Sequence, residues 1–143
     1  MELDEPGGCS QAAIVDVEEV VVALSVEAAE KLKELNISIE LIDIQTLLPF
    51  DKNQSIVQSL AKTGAIIFMD EDVPGGATAY MMQEVLEKQK GYNFLDAQPR
   101  TLTASDTRSA YASDGDYYCK PSTEDLIELA CEVMLERNPS HFE

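Results

Sequence analysis

The stretch Ala65-Ile66-Ile67-Phe68-Met69-Asp70-Glu71-Asp72-Val73-Pro74-Gly75-Gly76 sets an unbroken apolar run before three carboxylates, a proline and two glycines. An apolar run of that length, bounded by turn residues, is the pattern of a short strand buried on both faces. Immediately after it the period changes. Tyr80, Met81, Val85 and Leu86 fall at helical spacing, Glu84 and Lys88 pair outside, and Gly91 ends the segment. Strand, loop and helix in that order make up half of a βαβ unit.

Upstream the alternation repeats. Ala12 to Val17 is a short apolar run that reads as a strand, its end blurred by Asp16, Glu18 and Glu19. Val21, Leu24, Ala28, Leu32 and Leu35 then define an amphipathic helix ending near Asn36, with Glu27 and Lys31 four apart on its outside. Ser38 to Ile44 is a strand, stopped by Pro49. Asp51 stands three residues before Gln54, the spacing of a capping box, and opens a helix that turns Ile56, Val57 and Leu60 inward and closes at Gly64. Downstream, Arg100 to Ala104 is a fourth strand. Ser105 to Tyr118 is polar and irregular, a loop with at most one short edge strand. Ser122 and Asp125 cap a last helix with the stripe Leu126, Ile127, Ala130, Val133 and Met134, ended by Asn138-Pro139.

These elements predict an α/β three-layer sandwich with a mostly parallel sheet over residues 12–137, a flexible arm over 1–11 and a tail over 138–143. Leu41, Ile42, Ile66, Ile67 and Phe68 are expected in the core, with Ile42 and Ile67 on central strands. Functional loops in such a sheet lie past the carboxyl ends of the strands, here after Ile44, Met69 and Ala104.

The chain's 143 residues suit one domain, and no apolar run approaches the length of a membrane span. Its 27 Asp and Glu against 10 Lys and Arg give a formal charge of −17. That surface repels nucleic-acid phosphates and anionic lipid, which leaves plain solubility or a basic partner. Cys9, Cys119 and Cys131 are odd in number and far apart, so the expected compartment is reducing; with an acidic, glycine-rich start in place of a signal peptide, it is the cytoplasm. The two Asn-x-Ser matches at Asn36 and Asn53 are chance in that setting.

Chemistry is sparse. Asp70, Glu71 and Asp72 offer oxygen ligands for Mg²⁺, as in phosphoacceptor domains, but no lysine ends a predicted strand to hold the phosphate. Gly75-Gly76 before a helix lets backbone N–H groups approach a phosphate, yet the specific phosphate-loop and dinucleotide fingerprints are missing and the acids repel anions. A tight turn with positive φ, its acids placed near a helix N-terminus, suits the same residues better. The only histidine, His141, lies two residues from the end, so no base stands ready for a serine or cysteine nucleophile. Cys131 reads as a small core residue.

The stretch Glu40-Leu41-Ile42-Asp43-Ile44-Gln45-Thr46-Leu47-Leu48-Pro49-Phe50-Asp51 resembles the signature of the C-terminal transketolase-like domain, in particular that of the β subunit of thiamine-diphosphate-dependent 2-oxo acid dehydrogenases. Further matches follow in order: Ser59 with Lys62-Thr63-Gly64, Asp70-Glu71, Gly75-Gly76, Leu95-Asp96-Ala97, Asp106-Thr107, Tyr111-Ala112, and Pro121 before Glu124-Asp125. The stretches Asp70 to Ala77 and Asp114 to Tyr118 look more like forms with fused α and β halves. The segment Asp106 to Ala112 departs from the family by losing its prolines.

The resemblance implies a five-stranded, mostly parallel sheet with one antiparallel edge strand. It implies a full enzyme that oxidatively decarboxylates pyruvate or a branched-chain 2-oxo acid and acylates a lipoyl group. Thiamine diphosphate and Mg²⁺ belong there to other domains, so no catalytic, cofactor or metal residue is expected in this one. Its expected work is contact with the other subunits or a second copy, and docking of the lipoyl acyltransferase component. The candidate loop and interface residues are Asp70, Glu71, Gly75, Gly76, Asp106 and Tyr111, with Glu124, Glu128, Glu132 and Glu136 of the last helix as a docking face. Four-residue spacing also suits a merely solvated helix face. The alternative from another class is a stand-alone acidic α/β protein-binding module without catalysis.

Overall fold

The computed structural model describes residues 11–16, 19–108, 111 and 115–142. Strands and helices alternate along them: β1 (Gln11–Asp16), α1 (Glu19–Glu34), β2 (Ser38–Asp43), α2 (Ser55–Thr63), β3 (Ile66–Met69), α3 (Ala77–Met82), β4 (Arg100–Leu102), α4 (Gly115–Cys119) and α5 (Thr123–Arg137). A π-helical segment, Gln83–Lys88, continues α3, and short 3₁₀ turns occupy Gly91–Phe94 and Pro139–Phe142.

The sheet of the described residues is wholly parallel, in the order β2-β1-β3-β4. Because side chains alternate across a strand, Ala12, Ile14, Ile67 and Met69 face one way and meet Leu32 of α1 and Leu126 and Val133 of α5. Ala13, Val15, Ile66 and Phe68 face the other way and meet Ile56 and Leu60 of α2 and Met81 and Val85 from the α3 side. Both faces of β1 and β3 are therefore covered, which is why their sequences are apolar without alternation.

Local chemistry sets the ends of the helices. Asn36, left-handed at φ 57°, follows α1, and the Ile37 N–H reaches back to the Leu32 carbonyl at 3.0 Å, a Schellman closure with Ile37 buried. Gly64, at φ 70°, ends α2 and donates to the Leu60 carbonyl. Ser122 and Asp125 form the expected capping box on α5, each side chain accepting the other's backbone N–H.

Five expectations are corrected or bounded. Among the described residues Ile42 does not lie on a central strand: β2 is an edge strand there, so Ile42 and Leu41 are half-buried while Ile66, Ile67 and Phe68 are fully buried. The described sheet has four strands, none antiparallel. Asp51 and Gln54 do not form a capping box, because Gln54 is itself left-handed at φ 53° and leaves no cap geometry for the pair. Instead, Asp51 accepts the N–H groups of Ser55 at 2.8 Å and Ile56 at 3.3 Å, capping α2 from further back. Gln11 belongs to β1, not to an arm, and residues 1–10 lie outside the described residues. The region Ser105 to Tyr118 contains the start of α4, which at five residues is too short to show a period and is tied to the fold by the Ser105 N–H on the Cys119 carbonyl, 2.8 Å away.

Candidate functional site

The loop after β3 is built around Asp70. The parallel pairing of β3 with β4 fixes its first residue, since the Asp70 N–H donates to the Leu102 carbonyl at 3.1 Å. Its carboxylate, only 2% exposed, then turns back into the loop. Oδ1 accepts the Asp72 N–H and Oδ2 the Ala77 N–H, both at 3.0 Å. Asp72 accepts the Val73 N–H at 2.8 Å, and its carbonyl takes the Ala104 N–H at 2.9 Å. Glu71 pairs with Lys120 at 3.1 Å, joining this loop to the segment before α5.

Gly75 sits at φ 92° with open space where a Cβ would project, so backbone conformation alone requires glycine there. Gly76 does not share that conformation. At φ −77° it is confined by Asp72, whose carboxylate a Cβ would approach to 3.0 Å. The loop is thus a carboxylate-organised turn. The Ala77 N–H that would meet a phosphate is already bonded to Asp70.

The same geometry tests Mg²⁺ and diphosphate. Asp70 spends both oxygens on backbone N–H groups and Glu71 engages a lysine, so the three acids do not converge on a cation. Among the described residues no group of three or more His, Cys, Asp or Glu side chains is placed to hold a metal. The residues present do not fit either group, and no chemical step is derived through them. Among the described residues no helix is long and apolar enough to cross a membrane.

The glutamates of α5 have a more particular setting than a solvated face. Arg100 of β4 reaches across to Glu132 at 3.8 Å and Glu136 at 3.6 Å, and Glu136 also accepts the Gln98 N–H. Glu124 and Glu128 continue the row along a cleft of about 560 Å³ between α5 and β4, which Lys120 and Pro121 also line. Asp106 is exposed and apart from this cleft; Tyr111, 81% exposed, stacks with Arg108, whose guanidinium also donates to the Tyr111 hydroxyl. The candidate residues therefore fall into separate places: the β3 loop, the α5 row and the Arg108–Tyr111 pair.

Lys120, Arg100 and Arg137 organise these places and were not legible as site residues. Arg137, its side chain 3% exposed, binds Asp96 at 3.2 Å and the Gln11 carbonyl at 2.6 Å. The excess of acid over base was the available signal, since each cation in such a chain has many possible partners. Cys131 is half-buried on α5, and burial pushes its thiol above the usual range.

Fold and loops together define a parallel three-layer α/β domain whose strand-end loops are closed by its own hydrogen bonds. Residues 20–125 match the family described as Transketolase, C-terminal domain, and the chain belongs to that family. Its relatives include the mitochondrial pyruvate dehydrogenase E1 component subunit beta of Saccharomyces cerevisiae, 29% identical over 115 residues that cover 79% of this chain and 31% of that protein. Subunit beta-1 of Arabidopsis thaliana is 30% identical over 111 residues, 77% of this chain and 30% of that protein. Subunit beta of Rickettsia felis is 26% identical over 114 residues, 80% and 34% of the two chains. The chain thus spans about a third of the length of these relatives.

Proposed function

We propose that this chain is the C-terminal subunit-contact and docking domain of the decarboxylating component of a 2-oxo acid dehydrogenase, of pyruvate or branched-chain type. The full enzyme oxidatively decarboxylates the 2-oxo acid and acylates a lipoyl group. The observation that carries the reading is the alignment of 77 to 80% of this chain with subunits beta of pyruvate dehydrogenase E1. Thiamine diphosphate and Mg²⁺ are held elsewhere in that enzyme, which agrees with loop carboxylates committed to their own backbone and to Lys120. The enzyme works in the cytoplasm, and the folding unit runs over residues 11–137, from β1 through α5.

A fifth, antiparallel strand completes the sheet in this reading. The docking partner is the small basic subunit-binding domain of the lipoyl acyltransferase, drawn to the α5 row by complementary charge.

The test is capture of the tagged chain from cells that make it, followed by assay of the bound fraction for thiamine-diphosphate-dependent 2-oxo acid decarboxylation. Activity that copurifies supports the reading. Capture of partners without any such activity supports the stand-alone acidic module instead. For the docking face, affinity for the acyltransferase domain should fall with salt and with Glu124→Gln and Glu128→Gln, more than with the Arg100-paired Glu132→Gln and Glu136→Gln. Equal affinity and salt dependence in all variants would move the docking face elsewhere.

A further inference from the structure

We infer that the outer edge of β4 accepts an extended basic peptide segment as an added strand, its cationic side chains seated on the Glu124, Glu128 and Glu132 row of α5. The inference rests on the docking reading above and gives that docking a geometry.

β4 has β3 as its only sheet partner among the described residues. The Leu102 carbonyl points toward β3, where it accepts the Asp70 N–H. Backbone groups alternate in direction along a strand, so the N–H and C=O of Thr101 turn to the outer edge. An open edge of this kind is a template for one more strand, with main-chain hydrogen bonds supplying affinity and alternate side chains supplying selectivity.

The cleft of about 560 Å³ lies directly beside this edge, and α5 forms its acidic wall. Four residues of helix rise about 6.0 Å and two residues of strand about 6.6 Å, so every second residue of an added strand stays within about 1 Å of step with three glutamates spaced four apart. Arg100 already makes this contact from within the sheet, since it is a strand residue whose guanidinium meets Glu132 and Glu136. Glu128 has no ion-pair partner among the described residues and is exposed. A segment with lysine or arginine at alternate positions fits; an acidic one is repelled by both the row and the −17 charge of the whole chain.

The experiment uses the full chain and a short labelled peptide that alternates lysine with threonine, with binding read by fluorescence anisotropy at low salt. Two further peptides carry N-methyl groups on one or the other alternate set of backbone nitrogens. One methylated peptide should bind about tenfold or more weaker than the parent and the other about as well, because only one set faces β4. The Glu124→Gln/Glu128→Gln variant should lose about tenfold for the parent peptide. If both methylated peptides bind like the parent, the acidic face docks by charge alone and strand addition is overturned, while the docking reading stands. If the parent peptide does not bind, strand addition is overturned as well, and the capture experiment decides the docking reading separately.

Discussion

Asp70 and Ala77 are joined across the whole loop between β3 and α3, carboxylate Oδ2 to backbone N–H, at 3.0 Å. One buried side chain thereby fixes both where the strand ends and where the helix begins. Asp70→Ala leaves two backbone N–H groups without their acceptor and should cost about 1–3 kcal/mol. Asp70→Asn, which keeps one acceptor oxygen, should recover part of that. Urea unfolding followed by circular dichroism measures both, and an alanine variant as stable as the native chain would show that the loop is held by its β4 contacts instead.

Ile67 pairs with Ile14 on one side and Arg100 on the other, and is fully buried beneath α1 and α5. Ile67→Ala should cost about 2–5 kcal/mol through lost burial and the cavity left behind. The matching change Ile42→Ala, on the half-buried edge strand, should cost distinctly less. Similar denaturation midpoints for the two variants would contradict the strand order.

The contrast between these two isoleucines marks how far the sequence could be read. Period and run length placed Ile67 correctly, because a strand covered on both faces leaves an unbroken apolar run. The same argument misplaced Ile42, since the short apolar pair Leu41-Ile42 reads like a buried segment and strand order is a property of pairing, which no local pattern encodes. Ser122 and Asp125 were legible as a cap because the capping box is a contact within one turn. Asp51 was half legible: its role as a cap holds, but the left-handed Gln54 displaces the helix start. The Arg100–Glu132 and Lys120–Glu71 pairs join residues 32 and 49 positions apart, and spacing along the chain carries no trace of them.

Cys131 should be a slow thiol. Desolvation raises its ionisation above the ordinary value of 9.0, so at pH 8 less of it is thiolate than of an exposed cysteine. In a Cys9→Ser/Cys119→Ser variant, its rate with a disulfide reagent should lie below that of a cysteine peptide and keep rising past pH 9. A rate equal to the peptide's would place the sulfur in open solvent.

Calorimetric titration of the chain with thiamine diphosphate and Mg²⁺ should give no specific binding. A dissociation constant below about 10 μM, roughly −7 kcal/mol, would show that this domain itself holds a cofactor site.

Arg137 holds the carbonyl of Gln11, a contact between residues 126 positions apart. Its consequence falls on synthesis. A ribosome makes β1 before the other elements described, yet β1 is the interior strand that β2 and β3 flank, and α5, which follows them all in this domain, supplies Leu126 and Val133 over its face. Until α5 has cleared the exit tunnel, Ala12 and Ile14 lack half of their cover, and the nascent chain carries an apolar sheet face into a crowded solution. Translation that stalls before Leu126 should therefore yield a chaperone client or an aggregate.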